Sequence, residues 1–231
     1  MKYIALPAPQ QRRLPFYLAM EEYVARRLDE PDAFFIWQVP PTVIYGRNQV
    51  AENEVDFGYC REHAIEVVRR KSGGGCVYAD HDNLMLSFIT NGDNVGFAFN
   101  RFVGMVLLVL RKIGIEATGT VHNDIMIGNR KVCGTACYLL AGRSIVHSTM
   151  LYDTNMEHMT HAITPCREKL QKKGIESVRQ RITLLKDHTR LTIDEVKTLI
   201  RDTLCDGERM LTAEEIAEIE RLELNNLSFA C

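Results

Sequence analysis

The stretch NDIMIGNRKVCGTACYLLAGRSIVHSTMLYD, residues 123–153, constrains the fold more than any other part of the chain. Gly128-Asn129 and Ala141-Gly142 interrupt runs of strand-forming residues with turn formers, which is the pattern of successive antiparallel hairpins. Upstream, AFFIWQV and TVIYGR read as strands separated by a Pro-Pro break, and CVYA and NLMLSFIT as two more around the polar turn DHD. IEVVRR reads as a further strand running into a glycine triplet, after a short helix over EVDFGYCREHA. Strands and helices do not alternate as a doubly wound dinucleotide-binding sheet requires. The pattern predicts an α+β fold with a mostly antiparallel sheet flanked by helices.

Apolar residues at helical spacing predict a first helix over 15–29. A second covers VGFAFNRFVGMVLLVLRKIG and is capped by Gly114. After residue 190 the character changes to two charged amphipathic helices, IDEVKTLIRDTL and TAEEIAEIERLEL. This divides the chain into a body over 1–190 and a helical extension over 191–231 packed on it. A net charge of −2 over 231 residues argues against coating nucleic acid, so any anion site must be local. The longest apolar run, FVGMVLLVL, is too short to span a bilayer, and the N-terminus has no signal-peptide core. Seven cysteines without a C-x-x-C pair suit a reducing, cytoplasmic setting. On one strand Cys133 and Cys137 would lie about 13 Å apart, beyond disulfide reach, so both are expected to pack as small apolar residues.

RRKSGGGCVY places Arg69, Arg70 and Lys71 ahead of Gly73, Gly74 and Gly75. Glycines allow close approach of a ligand, successive amides form a concave anion site, and guanidinium groups add planar charge-assisted contacts. The alternative is a basic surface turn. The stretch is neither a P-loop nor a G-x-G-x-x-G fingerprint. Lys131 follows the Gly128-Asn129 turn beside the small residues Gly134, Thr135 and Ala136, and points either into a cleft or to solvent. Asn123 and Asp124 are candidates for ligating a metal or positioning a nucleotide, though such residues before a strand are usually turn formers. His147 on a strand is either a catalyst or a hydrogen-bonded structural residue. His158 and His161 have helical spacing compatible with a metal, but no H-E-x-x-H accompanies them.

Taken in order, VIYGRNQ, RRKSGGGCVY, NLMLSF, NDIMIGNRKVCGTA, HSTMLYD and KLQKKGIESVRQRIT resemble the lipoate-protein ligase family over about residues 14–185. The resemblance implies the α+β catalytic fold of biotin-protein ligases, octanoyltransferases and class II aminoacyl-tRNA synthetases. It implies activation of lipoate by ATP and Mg2+ to lipoyl-adenylate, then transfer to a lysine of an acceptor domain on a 2-oxoacid dehydrogenase E2 subunit or the glycine-cleavage H protein. By position, Arg70, Ser72, Gly73, Gly74 and Gly75 fall in the loop that encloses lipoate and adenylate. Val77, Tyr78 and Asn83 fall where the nucleotide is held, Asn123, Asp124 and His147 in the rest of the pocket, and Lys131 on the catalytic lysine. Magnesium would be held chiefly by phosphates, with Asp124 the one protein candidate. Tyr45, Val77 and Met85 are expected to line a slot for the apolar tail.

Ala79 stands where the family often has histidine. The accessory domain carried C-terminally by longer members is expected to be absent, with a separate accessory protein in its place. Three alternatives stay open: ATP-independent octanoyl transfer using Cys166 of HAITPCREK with Lys131, transfer of a preformed adenylate only, and binding without catalysis.

Overall fold

The computed structural model describes residues 1–7, 12–121, 124–164 and 181–228. In chain order the elements are β1 (Lys2–Ala5), α1 (Leu14–Arg27), β2 (Asp32–Trp37), β3 (Thr42–Tyr45), α2 (Phe57–Glu62), β4 (Glu66–Arg69), β5 (Val77–Ala79) and β6 (Asn83–Asn91). They continue with α3 (Val95–Lys112), β7 (Thr118–Gly119), β8 (Asp124–Ile127), β9 (Arg130–Leu140), β10 (Arg143–Leu151) and α4 (Met156–Ala162). The described chain closes with α5 (Ile193–Leu204), β11 (Gly207–Met210) and α6 (Ala213–Ser228).

An eight-stranded sheet runs β11-β1-β2-β6-β10-β9-β8-β7, and a three-stranded sheet runs β4-β3-β5. In the large sheet every pairing from β2 to β7 is antiparallel; only β1 pairs in parallel, with β2 and with β11. At the centre β6 and β10 pair over their full length, from Asn83 opposite Leu151 to Asn91 opposite Arg143. Both strands are buried almost throughout, because helices cover both faces. Alternation sorts their side chains. Met85, Ile89 and Ile145 join a cluster with α1, α6 and the small sheet, while Leu84, Leu86, Phe88, Val146 and Met150 join one with α3 and α5. The third cluster packs α2 and α4 on the outer face of the small sheet.

The expected hairpin turns are present. Gly128 and Gly142 take positive φ of 57° and 74°, and Gly114 ends α3 at 75°. Cys133 is buried in the α3-side cluster and Cys137 packs against it. Among the described residues no helix is long and apolar enough to cross a membrane.

The tail departs from the two-helix expectation. Thr192 caps α5 reciprocally with Glu195, as the sequence allows, but GERM then forms β11, paired in parallel with β1. Neither four-residue strand carries a readable signal. Glu208, Arg209 and Met210 favour helix in isolation, and pairing decides their state. Exposed Glu208 also breaks up the outer edge. α6 sends Ile219 into the α1 cluster, so α1 is held from both sides.

Arg143 fastens the end of α1 to β10. Its guanidinium donates to the carbonyls of Val24 and Leu28 at 3.2 and 3.1 Å, and to those of Glu30 and Pro31. Arg143→Met would strip the Leu28 and Glu30 carbonyls of this donor, while those of Val24 and Pro31 keep the N–H groups of Leu28 and Asn91, at a cost on the order of 2 kcal/mol. The urea midpoint should fall with an unchanged slope of free energy on denaturant; a midpoint equal to the wild type would contradict the fastening role.

Candidate active site

A cavity of about 500 Å³ opens between the α1 face of the large sheet and the small sheet. One end is apolar, formed by Leu14 and Leu18 of α1 with Trp37, Ile44, Val77 and Met85. Trp37 is fixed there by stacking on Tyr17, with centroids 4.7 Å apart, and by donating its indole N–H to Ser87 Oγ at 2.8 Å. The other end is charged.

The glycine loop reaches the cavity wrapped around Arg70. From a buried position the guanidinium donates to the carbonyls of Ile44, Gly73 and Gly75 at 3.1, 2.8 and 2.7 Å, and to Ser72 Oγ at 3.0 Å. Burial pushes this group down to about 10, so it stays charged near neutral pH. The guanidinium thus takes up two of the loop's carbonyls. Gly74 takes φ 93°, open to glycine. The turn after β3 packs tightly on this loop. Arg47 N–H donates to the Ser72 carbonyl at 2.9 Å, and a Cβ on Gly46 would stand 2.3 Å from the Gly74 carbonyl oxygen.

Lys131 lines the same cavity, with 23% of its side chain exposed, rather than projecting into open solvent. An extra residue, Val132, bulges from β9 where Ile125 pairs with Cys133 and Met126 with Lys131. Bulges re-aim side chains in this way. The ammonium sits 2.7 Å from Asp124 Oδ1, and Arg181 Nη2 lies 2.6 Å from Asp124 Oδ2. Thr183 N–H donates to the Lys131 carbonyl at 2.9 Å, which holds Arg181 beside the lysine. The lysine stem crosses Gly134 so closely that a Cβ there would stand 2.4 Å from Nζ and 2.6 Å from Cε.

Arg70, Gly74, Gly75, Val77, Tyr78, Asp124, Lys131 and His147 therefore line one cavity. Ser72, Gly73 and Asn83 do not line it. Ser72 is sealed beneath the loop, bonded to His147 Nε2 at 2.7 Å. Asn83 donates to the Tyr78 carbonyl at 3.4 Å and accepts from Thr154, bracing the wall from behind. Tyr45 faces away from the slot, under the Arg69 guanidinium. Asn123 and Cys166 lie outside the described residues. His158 and His161 flank Tyr59 with His63, and among the described residues no three side chains form a metal-holding group. Asp124 holds a cation on each oxygen, Lys131 on Oδ1 and Arg181 on Oδ2.

Sequence reasoning missed Glu21, Gly46, Arg181 and Glu54, which lines the cavity, and named Gly134 only as a small neighbour of Lys131. The two glycines carried a signal, since each stands inside a quoted strand motif where a backbone approach is the usual reason. Buried Glu21 and Glu54 carried none.

The sheet arrangement and a cavity with one apolar and one charged end form a concave small-molecule site. Residues 14–205 match the lipoyl protein ligase A/B catalytic domain, and the chain belongs to that family. It is 36% identical over 213 residues to lipoate–protein ligase 1 of Staphylococcus aureus, covering 89% of this chain and 65% of that one. A bipartite lipoate protein ligase of Thermoplasma acidophilum, solved in work that includes its E2 lipoyl domain, superposes with a TM-score of 0.83 at 27% identity, covering 96% of this chain and 91% of that one. A lipoate-protein ligase A with bound ATP gives a TM-score of 0.82 at 26% identity, covering 96% and 94%. The chain spans about three-fifths of the length of the curated relatives it matches.

Gly134→Ala displaces only the flexible end of Lys131, so the fold should survive while the ammonium moves off its position. Turnover should fall at least about ten-fold with thermal stability nearly unchanged. Equal loss of both would show that Gly134 serves packing alone.

Proposed function

We propose that this chain activates lipoate with ATP and passes the lipoyl group to a lysine of an acceptor domain. The observation that carries the reading is the shared cavity. An apolar slot lies at one end, and at the other the glycine loop and Lys131 face the same space. Relatives named as lipoate–protein ligases, one solved with ATP, support it.

In the first step a lipoate carboxylate oxygen attacks the α-phosphorus, the bond to the β,γ-diphosphate breaks, and pyrophosphate leaves. Negative charge builds on the phosphoryl oxygens, where the loop amides and the cations of Lys131 and Arg181 are already fixed. Lys131 exchanges Asp124 for substrate oxygens, bridging carboxylate and phosphate. In the second step the neutral acceptor amine attacks the acyl carbon, the bond to AMP oxygen breaks, and the amine proton passes to solvent. Lys131 then polarises the acyl carbonyl. Magnesium, when bound, would supply charge neutralisation to the phosphates.

The acceptor is an E2 lipoyl domain or an H protein, and a separate accessory protein is a candidate partner. The setting we infer is the reducing cytoplasm. No observation favours ATP-independent transfer through Cys166.

Lipoate-dependent exchange of labelled pyrophosphate into ATP tests the reading. The wild type should exchange and Lys131→Ala should lose at least about a thousand-fold. Near-normal exchange by Lys131→Ala would refute the assignment of Lys131, and lipoate binding without exchange by the wild type would refute activation.

A further inference from the structure

A buried polar chain runs from the apolar end of the cavity to the glycine loop. Trp37 Nε1 meets Ser87 Oγ at 2.8 Å, Ser87 Oγ meets Glu21 Oε1 at 2.6 Å, and Glu21 Oε2 meets His147 Nδ1 at 3.0 Å. His147 Nε2 then meets Ser72 Oγ at 2.7 Å, and Ser72 Oγ meets Arg70 Nε at 3.0 Å. Glu21, Ser87 and Ser72 are fully buried, and His147 stands opposite Ser87 across β10 and β6.

The donors at the two ends settle the direction of every bond. An indole N–H only donates, so Ser87 accepts it and sends its own proton to Glu21. A carboxylate at Glu21 would only accept, and His147 Nδ1 would then carry a proton. At the far end a guanidinium only donates, so Ser72 accepts from Arg70 and sends its hydroxyl proton to His147 Nε2. A doubly protonated imidazole would instead place two buried cations on one hydroxyl oxygen and turn the Ser72 proton into the loop.

We propose that Glu21 is a positioning residue. It holds His147 as the Nδ1–H tautomer, which turns the Ser72 hydroxyl inward and locks the glycine loop around Arg70 in its anion-binding shape. Both imidazole nitrogens are then consumed, so His147 meets the acyl chain with its ring carbons and takes no part in proton transfer. The kinetic half of the proposal rests on the reading as a lipoate-activating enzyme; the tautomer does not.

Glu21→Gln is the decisive variant. Its amide oxygen must serve Ser87, which leaves the amide nitrogen to donate to His147 Nδ1 and forces the proton to Nε2. Long-range proton–nitrogen spectra near neutral pH distinguish the tautomers, with His147 identified among the seven histidines by its loss in His147→Asn. The wild type should show Nδ1 protonated and Nε2 bare, and Glu21→Gln the reverse. In pyrophosphate exchange Glu21→Gln should raise the lipoate KM about ten-fold or more with kcat little changed, and Ser72→Ala should absorb that effect in the double variant.

An imidazolium or an Nε2–H form in the wild type overturns the proposal, as do Glu21→Gln and Ser72→Ala effects that simply multiply. If Glu21→Gln fails to fold, the wild-type spectrum decides alone. If the wild type exchanges no pyrophosphate, the functional reading falls while the spectra still decide the tautomer.

Discussion

The buried guanidinium of Arg70 is the interaction on which the site depends. A cation removed from water is costly unless its donors are met, and here the surrounding chain meets them with carbonyl oxygens and a hydroxyl. That requirement dictates the local sequence. The loop must curl tightly enough to present two of its own carbonyls to one side chain, which needs Gly74 at positive φ. The neighbouring turn must come within contact of the loop backbone, which excludes a side chain at Gly46. Arg70 is thus the template of the loop, and what it leaves available is a rim of amides.

Across the cavity the charge is balanced differently. Asp124 takes one cation on each oxygen and keeps two like charges, Lys131 and Arg181, side by side. Without that carboxylate they would repel in a half-buried setting of low dielectric. A polyanion has only to offer oxygens of comparable charge for either cation to change partner with little rearrangement. The opposite end is apolar and held stiff by the Trp37–Tyr17 stack. In the proposed reading a lipoate would be oriented by partition, its hydrocarbon at the indole and its carboxylate between loop and lysine.

Much of this was legible in the sequence. The hairpins over 124–151, the capped α3 and the glycine loop each follow from local rules, and the α+β class follows from their order. Lys131 was legible through the small residues after it, of which Gly134 has a direct steric reason. What escaped depended on distant partners. β11 is a strand because it pairs with β1, and β1 because it lies between β11 and β2. Glu21 looks like any polar residue on an amphipathic helix until the sheet places His147 and Ser87 beneath it. Ser72 was read as facing a ligand because it stands in an anion loop; its hydroxyl is in fact claimed from below.

The pairing of β1 with β11 has a consequence for synthesis. Residues 2–5 zip against residues 207–210, so this pairing joins segments about 200 residues apart and carries a large loop-closure entropy. On the ribosome the central strands can associate early. The first helix, which brings the buried carboxylate of residue 21, is clasped only after the last strand and α6 have emerged. Maturation of the loop that Glu21 braces should therefore wait until residues 207–210 and α6 have been made.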